Sequence, residues 1–271
     1  MEEILFSSDI VQIGHFVLPR DHPSFAQPGY VQSPIFVFPK NSIWIQHEYG
    51  EAFVADTSLV NFYNADQVYR RDVIHPEGDN CHWFALAPPF LAEVLNKKEH
   101  PQALFDVQYM ACNRAAFIAH LRVLESVEVN GVDENLLIEE QVLDVLKLLM
   151  TPVGDNQKQV LSVKAKHRKL IERVKQSLQE SLGVNLSLQQ LAEQHHTSPF
   201  HLSRLFKKVC GYGISAYRNE QRMRTAAIRI AAGEEDLASL AFNLGYSSHS
   251  HLTATFKQYY GFPPRHFQHV L

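Results

Sequence analysis

A short segment occurs twice in the carboxy-terminal half of the chain, and no other feature constrains the fold as much. Residues 188–211, LQQLAEQHHTSPFHLSRLFKKVCG, align with residues 237–261, LASLAFNLGYSSHSHLTATFKQYYG, at an offset of 49 as far as Ala192/Ala241 and of 50 from Leu202/Leu252 onward. Leu188, Leu191, Ala192, Leu202, Phe206, Lys207 and Gly211 have identical counterparts in Leu237, Leu240, Ala241, Leu252, Phe256, Lys257 and Gly261. The second copy carries one extra residue in the middle. One supersecondary unit has been used twice.

Each copy reads as a helix, a tight turn and a second helix. Ser187 with Gln190 forms a capping box for the first helix, and Ser198 before Pro199 supplies an N-cap and a preset first residue for the second. Asp236 and Ser248 are the corresponding caps of the second copy, and Gly245 offers its turn a positive φ. Ala192 and Ala241 are small where two helices must approach closely. This is the helix-turn-helix pattern, whose second helix enters the DNA major groove. By the helical period, Leu202, Leu205, Phe206 and Val209 face inward in the first copy, which turns Phe200, Ser203, Arg204 and Lys207 outward. In the second copy Leu252, Phe256 and Tyr259 face inward, leaving His249, Ser250, Thr253, Ala254 and Lys257 outside. A guanidinium such as that of Arg204 matches a guanine edge, His249 and Ser250 can hydrogen-bond a base or phosphate, and the two lysines suit phosphate neutralisation. Ala254, in register with Arg204, has no polar side-chain atom. Between the copies, Ser215 is the expected cap of a helix of about 16 residues, or about 24 Å, a rigid spacer that would let one chain read two successive major grooves about 34 Å apart.

The formal net charge of −4 hides an asymmetry: residues 1–159 hold 10 Lys and Arg against 22 Asp and Glu, whereas residues 160–271 hold 15 against 7. An acidic part of net −12 therefore precedes a basic part of net +8, the sign expected for a polyanion partner. In the acidic part, short apolar or alternating runs (IVQIGHFV, SPIFVFP, SIWIQH, EAFVA, SLVNFYN, HWFALAPP) are separated by Pro, Gly, Asn and Asp and predict an antiparallel β-sandwich or barrel. Two helices follow, over about 113–126 and 133–150, with Phe117, Leu121 and Leu124, then Leu136, Val142, Leu143, Leu146 and Leu149 at helical spacing. Their apolar faces either cover the sheet of their own domain or form a dimer surface through Phe117, Leu121 and Leu124. The polar stretch TPVGDNQKQ, residues 151–159, marks a linker, so the expected domains are 1–150 and 160–271. A basic helix over about 163–182, ended by Gly183, opens the second.

The basic half resembles the AraC/XylS family of bacterial transcription regulators, whose DNA-binding domain joins two helix-turn-helix units by a long helix. The resemblance covers residues 160–271 and rests on LxxLAxxxxxSPxHLSRLFKKxxG, SAYRNEQRMRTA, LASLAFNLGYSSHSHLTATFKQYYGFPP and the final PPRHF. It implies that the first unit reads DNA through Phe200, Ser203 and Arg204 and the second through His249, Ser250 and Thr253. Relatives often carry a longer polar residue where Ala254 stands. The acidic half resembles the cupin-type sensor domain of such regulators, by its order of elements and by HPEGDNC (75–81), similar to a turn between strands. The expected architecture is thus α+β: a cupin-like β-barrel with a helical pair, then an all-α double helix-turn-helix domain. The resemblance implies a small-molecule effector in the barrel, with Trp44, Phe53, Tyr63 and Trp83 as candidate walls, a homodimer, and double-stranded DNA and RNA polymerase as partners, for activation or repression.

The rival class is a metal-dependent cupin enzyme with an accessory DNA-binding module. His75, Cys81 and His82 are ligand types, but QHEYGE near His47 lacks the H-x-H pair of catalytic cupins, and Cys81 and His82 on one strand would point to opposite faces. A turn stabilised by Asp79 and Asn80 is the expectation there, and no metal or cofactor is expected. Phosphate loops, nucleophile elbows and Cys/His nucleophile pairs do not appear, so the reading is of a protein that is not an enzyme. The acidic, interrupted amino terminus and the lack of an 18-residue apolar run predict neither secretion nor membrane spanning. Three cysteines (Cys81, Cys112, Cys210) without C-x-x-C fit a reducing cytoplasm.

Overall fold

The computed structural model describes residues 1–97, 103–130, 135–150 and 165–270, which divide into two compact units, Met1–Thr151 and Pro152–Leu271. The expected linker 151–159 and the expected helix starts at residues 133 and 163 lie outside the described residues.

The first unit contains β1 (Glu2–Ser7), β2 (Val11–Leu18), β3 (Gly29–Val31), β4 (Ile35–Pro39), β5 (Ile43–His47), β6 (Phe53–Ala55), β7 (Leu59–Tyr63), β8 (Gln67–Val73), β9 (Asp79–Leu86), α1 (Pro88–Val94), β10 (Tyr109–Ala111), α2 (Arg114–Asn130) and α3 (Asn135–Met150). The strands form two antiparallel sheets, in the orders β1-β2-β9-β4-β7-β10 and β3-β8-β5-β6. The cupin-like barrel is therefore two facing sheets, each with open edges. Their shared core includes Val37, Ile43, Ile45, Phe53, Leu59, Tyr63, Cys81 and Trp83.

Strands β4, β7 and β9 of the larger sheet are buried on both faces, which is why they are nearly continuous apolar runs. Alternate residues of β4, β7 and β9 point away from the smaller sheet, where Phe36 stacks on Phe84 at 5.2 Å and Phe38 on His120 of α2 at 4.1 Å. Each such aromatic contributes about 1.5–3 kcal/mol by burial. Helices α2 and α3 cover this face: Asn113 Oδ1 accepts from Ala116 N at 2.8 Å, its Nδ2 donates to Leu148 O at 2.8 Å, and Ser8 Oγ, in the turn between β1 and β2, donates to Glu139 Oε1 at 2.6 Å. Phe117 and Leu121 are 2% and 4% exposed within the single chain and so are not available to a second copy; Leu124 is half-buried. In α3 the buried stripe is Ile138, Val142, Val145, Leu146 and Leu149, with Leu136 exposed.

The second unit is helical among its described residues: α4 (Ala165–Glu180), α5 (Leu188–Gln194), α6 (Pro199–Cys210), α7 (Ile214–Ala231), α8 (Leu237–Asn243), α9 (His249–Tyr260) and α10 (Pro264–Val270). One core gathers Ile171, Val174 and Leu178 of α4, Leu191 and Ala192 of α5, Leu202, Leu205 and Phe206 of α6, and Tyr217 of α7. On the other side of α7, Phe256 and Tyr260 of α9 pack on Phe267 of α10 at 5.4 Å each. Helix α7 is thus buried nearly all round, which explains its run of Ala, Met and Ile.

Candidate nucleic-acid interface

The two repeat copies fold by the same local chemistry. Ser187 Oγ accepts from Gln190 N at 3.2 Å while Gln190 Oε1 accepts from Ser187 N at 2.9 Å, a complete capping box at the start of α5. Ser198 and Ser248 accept from His201 N and His251 N at 3.2 and 3.1 Å and start α6 and α9, and Asp236 accepts from Ala238 N and Ser239 N to start α8. The carboxylate of Asp236 is held below its ordinary range by these bonds from Ser239 and Ala238. Both turns reverse at a positive-φ residue, His196 (+50°) in the first copy and Gly245 (+75°) in the second. Thr197 N bonds Ala192 O and Tyr246 N bonds Ala241 O, so the extra residue of the second copy is Ser247.

The cap of α7 is a correction to the sequence reading. Gly213, extended at φ −77° and ψ 161°, is the N-cap, and Ser215 lies inside the first turn without capping. The chain leaves α6 through Gly211, so the extended residue that a cap requires falls two residues earlier than Ser215. The helix has 18 residues and spans about 27 Å.

The outward faces are open. Phe200 is 77% exposed, Ser203, Arg204 and Lys207 are exposed, and the Arg204 guanidinium lies 5.8 Å from the centroid of the Phe200 ring. On α9, His249, Ser250, Ala254 and Lys257 are exposed and Thr253 is half-buried, its hydroxyl 3.2 Å from His249 Nε2. Tyr260 points inward rather than Tyr259: from Leu252 the buried residues run in steps of four, and Tyr259 packs beside its neighbour at 4.8 Å.

Helix α7 fixes one helix-turn-helix against the other through contacts that the sequence pattern did not single out. Arg222 donates from Nε to Leu182 O at 2.8 Å and from Nη1 to Asn185 Oδ1 at 3.1 Å, and its guanidinium lies 5.8 Å from the Tyr246 ring centroid. Arg218 donates to Leu186 O at 2.9 Å, and Asn185 Nδ2 donates to Gly245 O at 3.2 Å. The loop before α5, the turn between α8 and α9, and α7 are therefore bonded together. Burial pushes the Tyr246 hydroxyl up to about 12, against the opposing pull of Arg222.

In the first unit, a cavity of about 50 Å³ lies between the sheets, lined by apolar side chains with Asn61, Tyr63, Tyr69, Asp79 and Cys81. Of the four aromatics expected as its walls, Tyr63 alone lines it. Phe53 and Trp83 belong to the surrounding core, and half-buried Trp44 alternates with the inward-facing Ile43 and Ile45. Asn61 Oδ1 is buried there without a hydrogen-bond partner. Arg71 Nη2 donates to Tyr69 OH at 2.7 Å, and Arg71 Nε is 3.6 Å from Asp79 Oδ2. Tyr69 and Arg71 fill the space where a Cβ on Gly29 would sit. Asp79 is a buried strand residue rather than a turn stabiliser, and that burial raises it to about 6, partly offset by Arg71. The turn before it is closed by Gly78 N to His75 O, and Asn80 Oδ1 instead accepts from the ring of His15. Cys81 faces the cavity while His82 turns to the other face beside His15 and His120, where burial drives its ring well towards the neutral form. Among the described residues, no group of three or more His, Cys, Asp or Glu is placed to hold a metal ion, and no helix is long and apolar enough to cross a membrane.

A helix-turn-helix domain family model matches residues 191–269. The multiple antibiotic resistance protein MarA of Escherichia coli is 32% identical over 91 residues, which cover 34% of this chain and 72% of MarA. The regulatory protein SoxS of Escherichia coli is 24% identical over 105 residues, 39% of this chain and 98% of SoxS. Among solved structures, an apo ToxT variant from Vibrio cholerae is 10% identical and aligns over 98% of this chain and 99% of its own, with a TM-score of 0.42. The repeated helix-turn-helix, its caps and its central helix, together with the likeness to MarA over most of that protein's length, lead to one conclusion: the chain belongs to the AraC/XylS family of DNA-binding transcription regulators.

Proposed function

We propose that the chain is a sequence-specific regulator whose two helix-turn-helix units read successive major grooves of one DNA duplex, under control of a small molecule sensed by its amino-terminal unit. The observation that carries this reading is the pair of solvent-facing recognition helices, α6 and α9, braced through α7, Arg222 and Asn185. In this function Phe200, Ser203 and Arg204 meet base edges, and Lys207 and Lys257 neutralise phosphates. His249, Ser250 and Thr253 make the contacts of the second unit. The unpartnered Asn61 oxygen in the inter-sheet cavity supports an effector that donates a hydrogen bond, and the cavity's small volume requires that effector to be compact or to widen the space between the sheets.

The chain acts in the cytoplasm as a homodimer and engages RNA polymerase at its promoters, with residues 1–150 serving as the sensing and dimerising domain, 151–159 as the linker and 160–271 as the DNA-binding domain. The exposed apolar residues of the helical pair, Val129, Leu136 and Leu137, replace Phe117 and Leu121 as the surface offered to a second copy. Hydroxyl-radical footprinting of the full-length protein on a bound fragment tests the double reader. Two protected segments on one face of the duplex, about 10 base pairs apart, are expected for each chain. A single segment per chain would show that one unit does not engage DNA.

A further inference from the structure

The two recognition helices occupy equivalent positions in the repeat, yet they present different chemistry. On α6 the exposed residues include the Phe200 ring and the Arg204 guanidinium, which lies 5.8 Å from that ring's centroid. At the matching positions α9 carries Ser250 and Ala254, both exposed. The Thr253 hydroxyl and His249 Nε2, which could otherwise reach a base, stand 3.2 Å apart and bond each other.

Reading a guanine in the major groove calls for a flat pair of donors matched to its N7 and O6 acceptors. Arg204 supplies that fork, and its contact with the Phe200 ring limits the freedom it would lose on binding. The outward face of α9 has no such fork. Its Lys257 is two turns beyond Ser250 towards the helix carboxy terminus, whereas base contacts are made by the amino-terminal residues of a recognition helix. The most that the Ala254 methyl and the Thr253 side chain offer a base is apolar contact with a thymine methyl, without the paired hydrogen bonds that a guanidinium makes.

We infer that the chain is an unequal reader: α6 selects a guanine-containing block through Arg204 held by Phe200, while α9 grips the adjacent block by its backbone and tolerates base changes there. This rests on the double-reader function proposed above and assigns its specificity to one half. The second block is read weakly because Ala254 stands where the first unit has Arg204.

The test uses full-length protein and a bound duplex in which each base pair of the two blocks is changed singly, with affinities measured by titration at fixed salt. Replacing the guanine under α6 is expected to weaken binding about 5- to 150-fold, and every change under α9 to weaken it by less than the lower figure. Arg204→Ala should level the first block's discrimination while leaving the second unchanged. Ala254→Arg, on an exposed face, should create a new guanine preference of the same size in the second block. Equal discrimination in both blocks by the unmodified protein, or an Ala254→Arg protein that binds without any new preference, would overturn the inference. A protein that binds all duplexes alike fails differently, since it removes the sequence-specific reading on which the inference stands.

Discussion

Gly245→Ala should unfold the helical unit far more readily while sparing the sheet unit. Gly245 sits at φ +75°, and a left-handed conformation costs a residue with a Cβ about 1–2 kcal/mol. The added Cβ would lie 2.5 Å from Gly183 O and 2.7 Å from Arg222 Nη2. The loop that carries Gly183 cannot withdraw freely, because Arg222 holds Leu182 O at 2.8 Å and Asn185 holds Gly245 O at 3.2 Å. Relieving the overlap therefore adds about 1–3 kcal/mol, for a total of about 2–5. With a urea slope of about 1–1.5 kcal/mol per molar for a unit of this size, the midpoint should fall by at least about 1.3 M. The assay has an internal control, since both tryptophans, Trp44 and Trp83, lie in the sheet unit, whereas most of the described helix lies in the other. Far-UV circular dichroism should show the shift and tryptophan fluorescence should not. His196→Ala, at the equivalent turn residue of the first copy, already carries a side chain at positive φ and should change stability by less than about 0.5 kcal/mol. A Gly245→Ala shift below about 0.5 M, or an equal shift in fluorescence, would refute the reasoning.

Three further perturbations follow from the same structure. Asp79, raised to about 6 by burial, binds its proton more tightly in the folded chain than in the unfolded one, so its contribution is present below about pH 4 and lost as pH rises through 6. Buried His47, lowered to about 4, acts oppositely, its contribution being present above about pH 6.5 and lost as pH falls through 4. Followed by tryptophan fluorescence in urea, Asp79→Asn should steepen the loss of stability on acidification between pH 6 and 4, and His47→Leu should flatten it, each by up to about 3 kcal/mol. Phe206→Ala empties the fully buried centre of the first helix-turn-helix and should cost about 3–5 kcal/mol in the circular-dichroism transition. Lys257→Ala should weaken binding to all DNA sequences alike and flatten the dependence of log affinity on log salt by about one unit, measured by titration over a range of salt.

The helical unit was legible because its rules are local. Capping residues bond backbone within three positions, so Ser187, Ser198, Asp236 and Ser248 could be placed without knowing the tertiary fold. Ser215 misled because a cap depends on where the preceding helix releases the chain. Tyr259 misled because one residue of phase decides which of two adjacent aromatics turns inward. In the sheet unit the runs of β4, β7 and β9 announced themselves by being apolar on both faces. Strand β1, with its two leading glutamates at an edge, and β8, whose QVYRRDV carries Tyr69 and Arg71 against Asp79, gave no alternating signal. The cavity between the sheets was the least legible feature. Asn61 and Asp79 reach it only through strand register, and the signal that could have pointed to them is a polar residue within (Asn61) or at the start of (Asp79) an apolar strand.

The most direct test of the account is selection of bound fragments from the host genome by purified full-length protein at about 0.15 M salt, where non-specific electrostatic binding is weak and base readout survives. The account predicts recovery of a small set of sites sharing two blocks one helical turn apart, one strongly fixed and containing guanine, the other variable. Fragments recovered without any shared sequence, both by the full chain and by residues 160–271 alone, would contradict it.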